Sequence, residues 1–126
     1  MSIALQVVVG LFTLPMVALG LKAMFAPATM LETLAVEPKG APGLNTVRGL
    51  AGGFFLASAV MIAAGLATGD TVWFLALAVL MGVAAVGRVV GIAADGFDKE
   101  VVRPTVVEVV MAVVLVAAHF VLGGAA

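Results

Sequence analysis

The chain has no cysteine, a single histidine and few charges, with only 10% of its 126 residues being Asp, Glu, Lys or Arg. Each shortage removes a class of chemistry. Without cysteine there is no disulfide framework, thiolate metal site or iron–sulfur cluster. One histidine cannot build a histidine-rich metal centre, so neither a metal nor another cofactor is expected. The net charge of -1 offers no basic face to nucleic acid. Charge this sparse, against about 25% in soluble domains, goes with 64% hydrophobic residues. A small soluble domain cannot bury so much apolar surface, and lipid is the solvent that removes the problem. A basic opening, which a secretory signal would carry, is missing as well. Met1-Ser2-Ile3 leads straight into apolar sequence and the first cation is Lys22. The first hydrophobic stretch is therefore expected to stay in the mature protein.

What the sequence does contain is four apolar stretches near the 20 residues that cross a bilayer. They cover about residues 3–24, 43–67, 71–94 and 104–122. The chain reads as an all-α integral membrane four-helix bundle, with residues 1–126 forming one four-span domain. Pro15 predicts a kink in the first span. Pro42-Gly43-Leu44-Asn45 opens the second, Asp70 is a natural cap for the third, and Pro104 suits the first position of the fourth. Runs of valine in the last span would favour strand in water. In lipid a strand needs a closed barrel to satisfy its backbone, so helix is expected. Between the first two spans, Met30, Leu31, Leu34 and Ala35 share one helical face while Glu32, Thr33 and Glu37 lie away from it. That pattern predicts a short amphipathic helix on the membrane surface, with an irregular loop as the alternative.

Lys22, Lys39, Arg48, Arg88, Lys99 and Arg103 all fall at or near one side of this four-span layout, and no cation falls near the other. The positive-inside rule then places the two longer connections in the cytoplasm and both termini outside. In a bacterium this is a multi-pass protein of the inner membrane with periplasmic termini.

Three of the charges lie inside the spans. Arg48 is about a turn and a half into the second, Arg88 a similar distance before the end of the third, and Glu108 about one turn into the fourth. In antiparallel neighbours these positions reach a similar depth in the cytoplasmic leaflet. Each would cost about 2.5–3.5 kcal/mol at the bilayer centre, and less at this depth. Two guanidinium forks and a carboxylate can offset that cost by pairing, and Asp95, seven residues beyond Arg88 on the same face, can join from the membrane edge. Gly49 and Gly53 follow Arg48, and Gly87 and Gly91 surround Arg88. Small residues at this spacing allow spans to approach closely, so the second and third spans are expected to touch here. The cluster Arg48, Arg88, Glu108 and Asp95 has two readings. It is an ion-pair lock that fixes helix register, or a site for an anionic lipid, a carboxylate metabolite or a quinone oxygen.

The remaining polar residues carry weaker signals. His119 lies three turns from Glu108 near the opposite surface, either as a water-wetted interfacial group or as a proton acceptor, with Gln6 as a candidate hydrogen-bond partner. Trp73 reads as an interfacial anchor. Gly65-x-x-x-Gly69 reads as a spare helix-packing face, and with it a homo-oligomer or larger membrane complex is expected.

The run Asn45-Thr46-Val47-Arg48-Gly49-Leu50-Ala51-Gly52-Gly53-Phe54-Phe55, then Gly87-Arg88-Val89-Val90-Gly91, Asp95-Gly96-Phe97, and Arg103-Pro104 with Glu108, resembles a bacterial family. Its members are small four-helix membrane proteins known only as a domain of unknown function. The chain is also distantly similar to DoxX-type membrane proteins, some of which serve quinone-linked redox systems. The nearer resemblance implies the fold and the membrane location and no reaction. Two functions remain. One is a non-catalytic accessory or oligomeric membrane component, consistent with a sequence that shows no catalytic triad, metal set or phosphate loop. The other is a transporter or membrane enzyme subunit handling a lipid-like or quinone-like molecule at the charge cluster. No catalytic residue can be assigned from the sequence, and the enzyme question stays open.

Overall fold

The computed structural model of the chain describes residues 2–123. These are helical throughout, with short connections and no strand among the described residues. Four helical runs of 23 to 29 residues are long and apolar enough to cross a membrane: Ile3–Phe25, Gly40–Thr68, Val72–Asp95 and Lys99–Gly123. Only 17–28% of the most apolar window of each is buried within the chain. Residues such as Val79, Val83, Val86 and Val90 stand more than half exposed. Apolar surface on that scale requires a non-aqueous surrounding.

The first run is two helices, α1 (Ser2–Leu11) and α2 (Thr13–Phe25). The interruption at Phe12 is the expected effect of Pro15, displaced toward the N-terminus. Proline has no N–H for the Leu11 carbonyl and its ring crowds that position. The next bond, Met16 N–H to the Phe12 carbonyl, is stretched to 3.4 Å. The surface segment is shorter than the sequence predicts. A 3₁₀ turn, Pro27–Met30, runs into a single α turn, α3 (Leu31–Leu34). Met30 is fully buried, while Glu32 and Thr33 face outward. Ala35 ends it in the left-handed region at φ 55°. Its N–H bonds the Glu32 carbonyl and that of Val36 bonds Leu31, the paired closure usually made by glycine.

The second run begins at α4 (Gly40–Thr46), whose third residue, Pro42, needs no hydrogen-bond donor in a first turn. It passes through a π-helical segment, Val47–Gly52, into α5 (Gly53–Thr68). Three glycines, Gly49, Gly52 and Gly53, lie in or next to the widened segment. The third run is α6 (Val72–Asp95), whose N-cap is Thr71 rather than the expected Asp70; Asp70, one residue earlier, accepts the Val72 N–H on its Oδ1 at 3.1 Å. The fourth is α7 (Val102–Gly123), preceded by a 3₁₀ turn, Lys99–Val101. Asp98 accepts the Glu100 N–H at 2.9 Å and so starts the turn early. Pro104 consequently occupies the third rather than the first position of the helix.

The contacts divide into two compact units, one of Met1–Val9 with Ala64–Ala126 and the other of Gly10–Ala63. The first is built on α6 and α7. Phe74, Leu77, Ala78, Met81 and Ala85 form a buried stripe on α6 at helical spacing, and Met111, Leu115 and Ala118 form one on α7. Gly65 receives the Phe74 ring, which leaves no room for a Cβ. Gly65 is thus used within the chain, and Gly69 is a turn residue at φ 74°, so this pair is not a spare packing face. In the second unit, α2 packs against the π segment. Gly52 presses on the backbone of Met24, and Leu56 fills the space above Gly20.

Candidate ligand site on the third and fourth spans

The antiparallel pair α6 and α7 carries one polar contact near each end. At one end, Nδ1 of His119 lies 3.1 Å from both the carbonyl and the Oγ1 of Thr71. The Thr71 hydroxyl donates in turn to the His119 carbonyl at 3.3 Å. The contact to the Thr71 carbonyl, which only accepts, fits the tautomer with the proton on Nδ1, and Nε2 makes no part of the link. Thr71 is buried. His119 was legible from the sequence as a polar group, but its partner is Thr71. No hydrogen bond joins it to Gln6 among the described residues. Nothing in the sequence marks Thr71, because its role is set by a partner 48 residues away on α7.

At the other end, Arg88 Nε donates to both carboxylate oxygens of Glu108, each at 2.9 Å. The Glu108 side chain is 12% exposed and that of Arg88 40%. Arg88 lies seventeen residues beyond Thr71, about 25 Å of helical rise. If Thr71 marks one edge of a hydrocarbon layer of about 30 Å, the ion pair lies roughly one turn inside the other. The apolar stripe fills the interval.

The grip is one-sided. Glu108 engages a single nitrogen of the guanidinium, whereas end-on fork pairing uses two. Neither Nη1 nor Nη2 meets an acceptor among the described residues, so four charged N–H donors remain. Beside them is an open recess of about 380 Å³, lined mainly by one face of α6: Ala84, Gly87, Arg88, Gly91, Ile92 and Asp95. A Cβ added at Gly87 or Gly91 would meet nothing within 4 Å. The absent side chains leave this space open among the described residues. A Cβ at Gly49 or Gly53 would likewise meet nothing within 4 Å among the described residues. Asp95 is exposed at the end of α6 and has no ion-pair partner among the described residues.

Arg48 belongs to the other unit. It lies in the π segment, and its Nη1 donates to the Met24 carbonyl at 2.7 Å. Met24 stands in the last turn of α2, where carbonyls lack intrahelical donors and a cation is favoured. Gly52, one turn on from Arg48, is where the π segment meets Met24. The π segment was not predicted, because its glycines read equally well as a helix-packing motif. Among the described residues, no group of three His, Cys, Asp or Glu is arranged to hold a metal ion.

A family model described as Domain of unknown function (DUF4345) matches residues 4–119, which take in all the candidate site residues. No curated protein and no solved structure matches the chain.

Proposed function

The chain belongs to the DUF4345 family, whose function is unassigned, and from that premise we propose that it is a non-catalytic membrane component that holds a small polar or anionic group at Arg88. It works as an accessory subunit or homo-oligomer of a bacterial inner membrane, with both termini on the periplasmic side. The distant DoxX-like resemblance fits a protein that assembles with a larger system.

One observation carries the reading: Arg88 gives only its Nε to Glu108 and turns a 40% exposed side chain, with two uncommitted Nη groups, beside a glycine-lined recess. A lock needs no recess. Its best geometry would be end-on, with the guanidinium covered. Here Glu108 acts as the positioning group. Its two oxygens fix Nε and so aim the Nη groups, while partial neutralisation lowers the cost of holding the arginine at membrane depth.

Native mass spectrometry of the full chain released from lipid nanodiscs tests this. The wild type should carry a bound polar lipid or small molecule, and Arg88→Gln, checked for helicity by circular dichroism, should lose it. An unliganded wild type, or equal ligand retention by folded Arg88→Gln, would overturn the reading.

A further inference from the structure

The recess beside Arg88 does not have the charge balance of a simple anion site. Its lining carries one guanidinium, Arg88, and one carboxylate, Asp95, while Glu108 holds the Arg88 Nε without lining the recess. Lys99 and Arg103 belong to the same end of the helix pair but do not line the recess. A bare anion would gain the Nη donors yet meet Asp95. A bare cation would gain Asp95 yet meet the guanidinium. Neither uses the whole surface.

The two ends are also separated. Asp95 follows Arg88 by seven residues on one helical face, two turns and about 10 Å along the axis. Gly91 lies between them and Gly87 precedes Arg88, so part of the floor is open backbone, with the Ile92 side chain beside it. The volume, about 380 Å³, is at the small end of the roughly 300–1,000 Å³ typical of ligand sites. That suits a headgroup and not a whole lipid. The exposed valines on either side, Val86, Val89 and Val90, leave the flanks to acyl chains.

We infer that the recess takes a phospholipid headgroup carrying an amine about two helical turns from its phosphate, with the phosphate on the Nη groups of Arg88 and the ammonium on Asp95. This deepens the reading of Arg88 as a ligand-facing group and rests on it. The seven-residue spacing of Arg88 and Asp95 along the helix favours an aminoacylated phosphoglycerol headgroup over phosphoethanolamine, in which phosphate and amine are near neighbours.

The test is a competition in nanodiscs of phosphatidylcholine doped equally with lysyl-phosphatidylglycerol, phosphatidylglycerol and phosphatidylethanolamine, read by native mass spectrometry of the full chain. The wild type should retain the lysylated lipid about tenfold over phosphatidylglycerol, a difference well resolved as affinity. Asp95→Asn, at an exposed helix end, should bring the two to parity, because the lysylated lipid loses its ammonium partner and phosphatidylglycerol loses a repelling carboxylate. Gly91→Leu should fill the floor and reduce retention of both. Equal retention of phosphatidylethanolamine and the lysylated lipid would overturn the proposed spacing. Phosphatidylglycerol retained as well as the lysylated lipid by the wild type would overturn the ammonium site, while leaving Arg88 a phosphate-binding group. Retention of all three that is indifferent to Arg88→Gln would sink the underlying reading as well.

Discussion

At the residue scale, the Arg88–Glu108 contact sets what each substitution should do. Glu108→Gln keeps one acceptor for Nε but removes the charge facing an arginine at membrane depth. A hydrogen bond to a charged group contributes about 1.5–3 kcal/mol, and the 40% exposure of Arg88 keeps the loss toward the lower figure. Glu108→Asp should be milder, and Arg88→Lys should be poorly tolerated because an ammonium cannot present Nε to the carboxylate while aiming two further donors elsewhere. Reversible unfolding in mixed micelles would rank the three; Glu108→Gln as stable as wild type would mean that the pair contributes nothing. Ala35 offers a prediction of opposite sign. A left-handed alanine costs about 1–2 kcal/mol, so Ala35→Gly, at φ 55°, should raise stability by about 1 kcal/mol in the same assay. A decrease would show that the flexibility gained by glycine outweighs the relieved strain.

Among the elements, glycines separate packing from site. Gly52 and Gly65 each have a neighbour where a Cβ would go, the Met24 backbone and the buried Phe74 ring. Gly52→Ala and Gly65→Ala should each cost about 1–3 kcal/mol by overpacking. Gly87→Ala and Gly91→Ala meet open space and remove a helix-interior glycine, so they should be neutral or stabilising by about 0.5–1 kcal/mol. Thermal scans of the four variants decide the point; a destabilised Gly91→Ala would place a neighbour in the recess. This contrast also marks the limit of what was legible. Hydrophobic length alone identified the four spans, and burying a charge in lipid is expensive enough to single out Arg88 and Glu108. Glycine spacing was ambiguous. The pattern around Arg48 and Arg88 signals close approach, but whether a neighbour arrives depends on tertiary packing, and Gly52 and Gly65 took that role. The π segment and the Thr71–His119 link were hidden for the same reason. Each is set by a distant partner, Met24 in one case and α7 in the other.

For the whole molecule, sequence asymmetry makes the orientation testable. In the four-span layout read from the sequence, all six cations are expected at or near one side. A reporter active only in the cytoplasm and fused to the C-terminus should therefore be silent, and strong activity there would invert the topology. The central claim is that Arg88 and Glu108 form a working site rather than a replaceable lock, and Arg88→Leu with Glu108→Leu tests it most directly. Stability and bound lipid should be measured on the same preparations of the two single variants and the double. Residues in contact couple by about 0.5–3 kcal/mol, so the double should lose less stability than the two single losses added together. It should also emerge from nanodiscs without its polar ligand, folded and empty. A folded double variant that keeps its ligand would contradict the account.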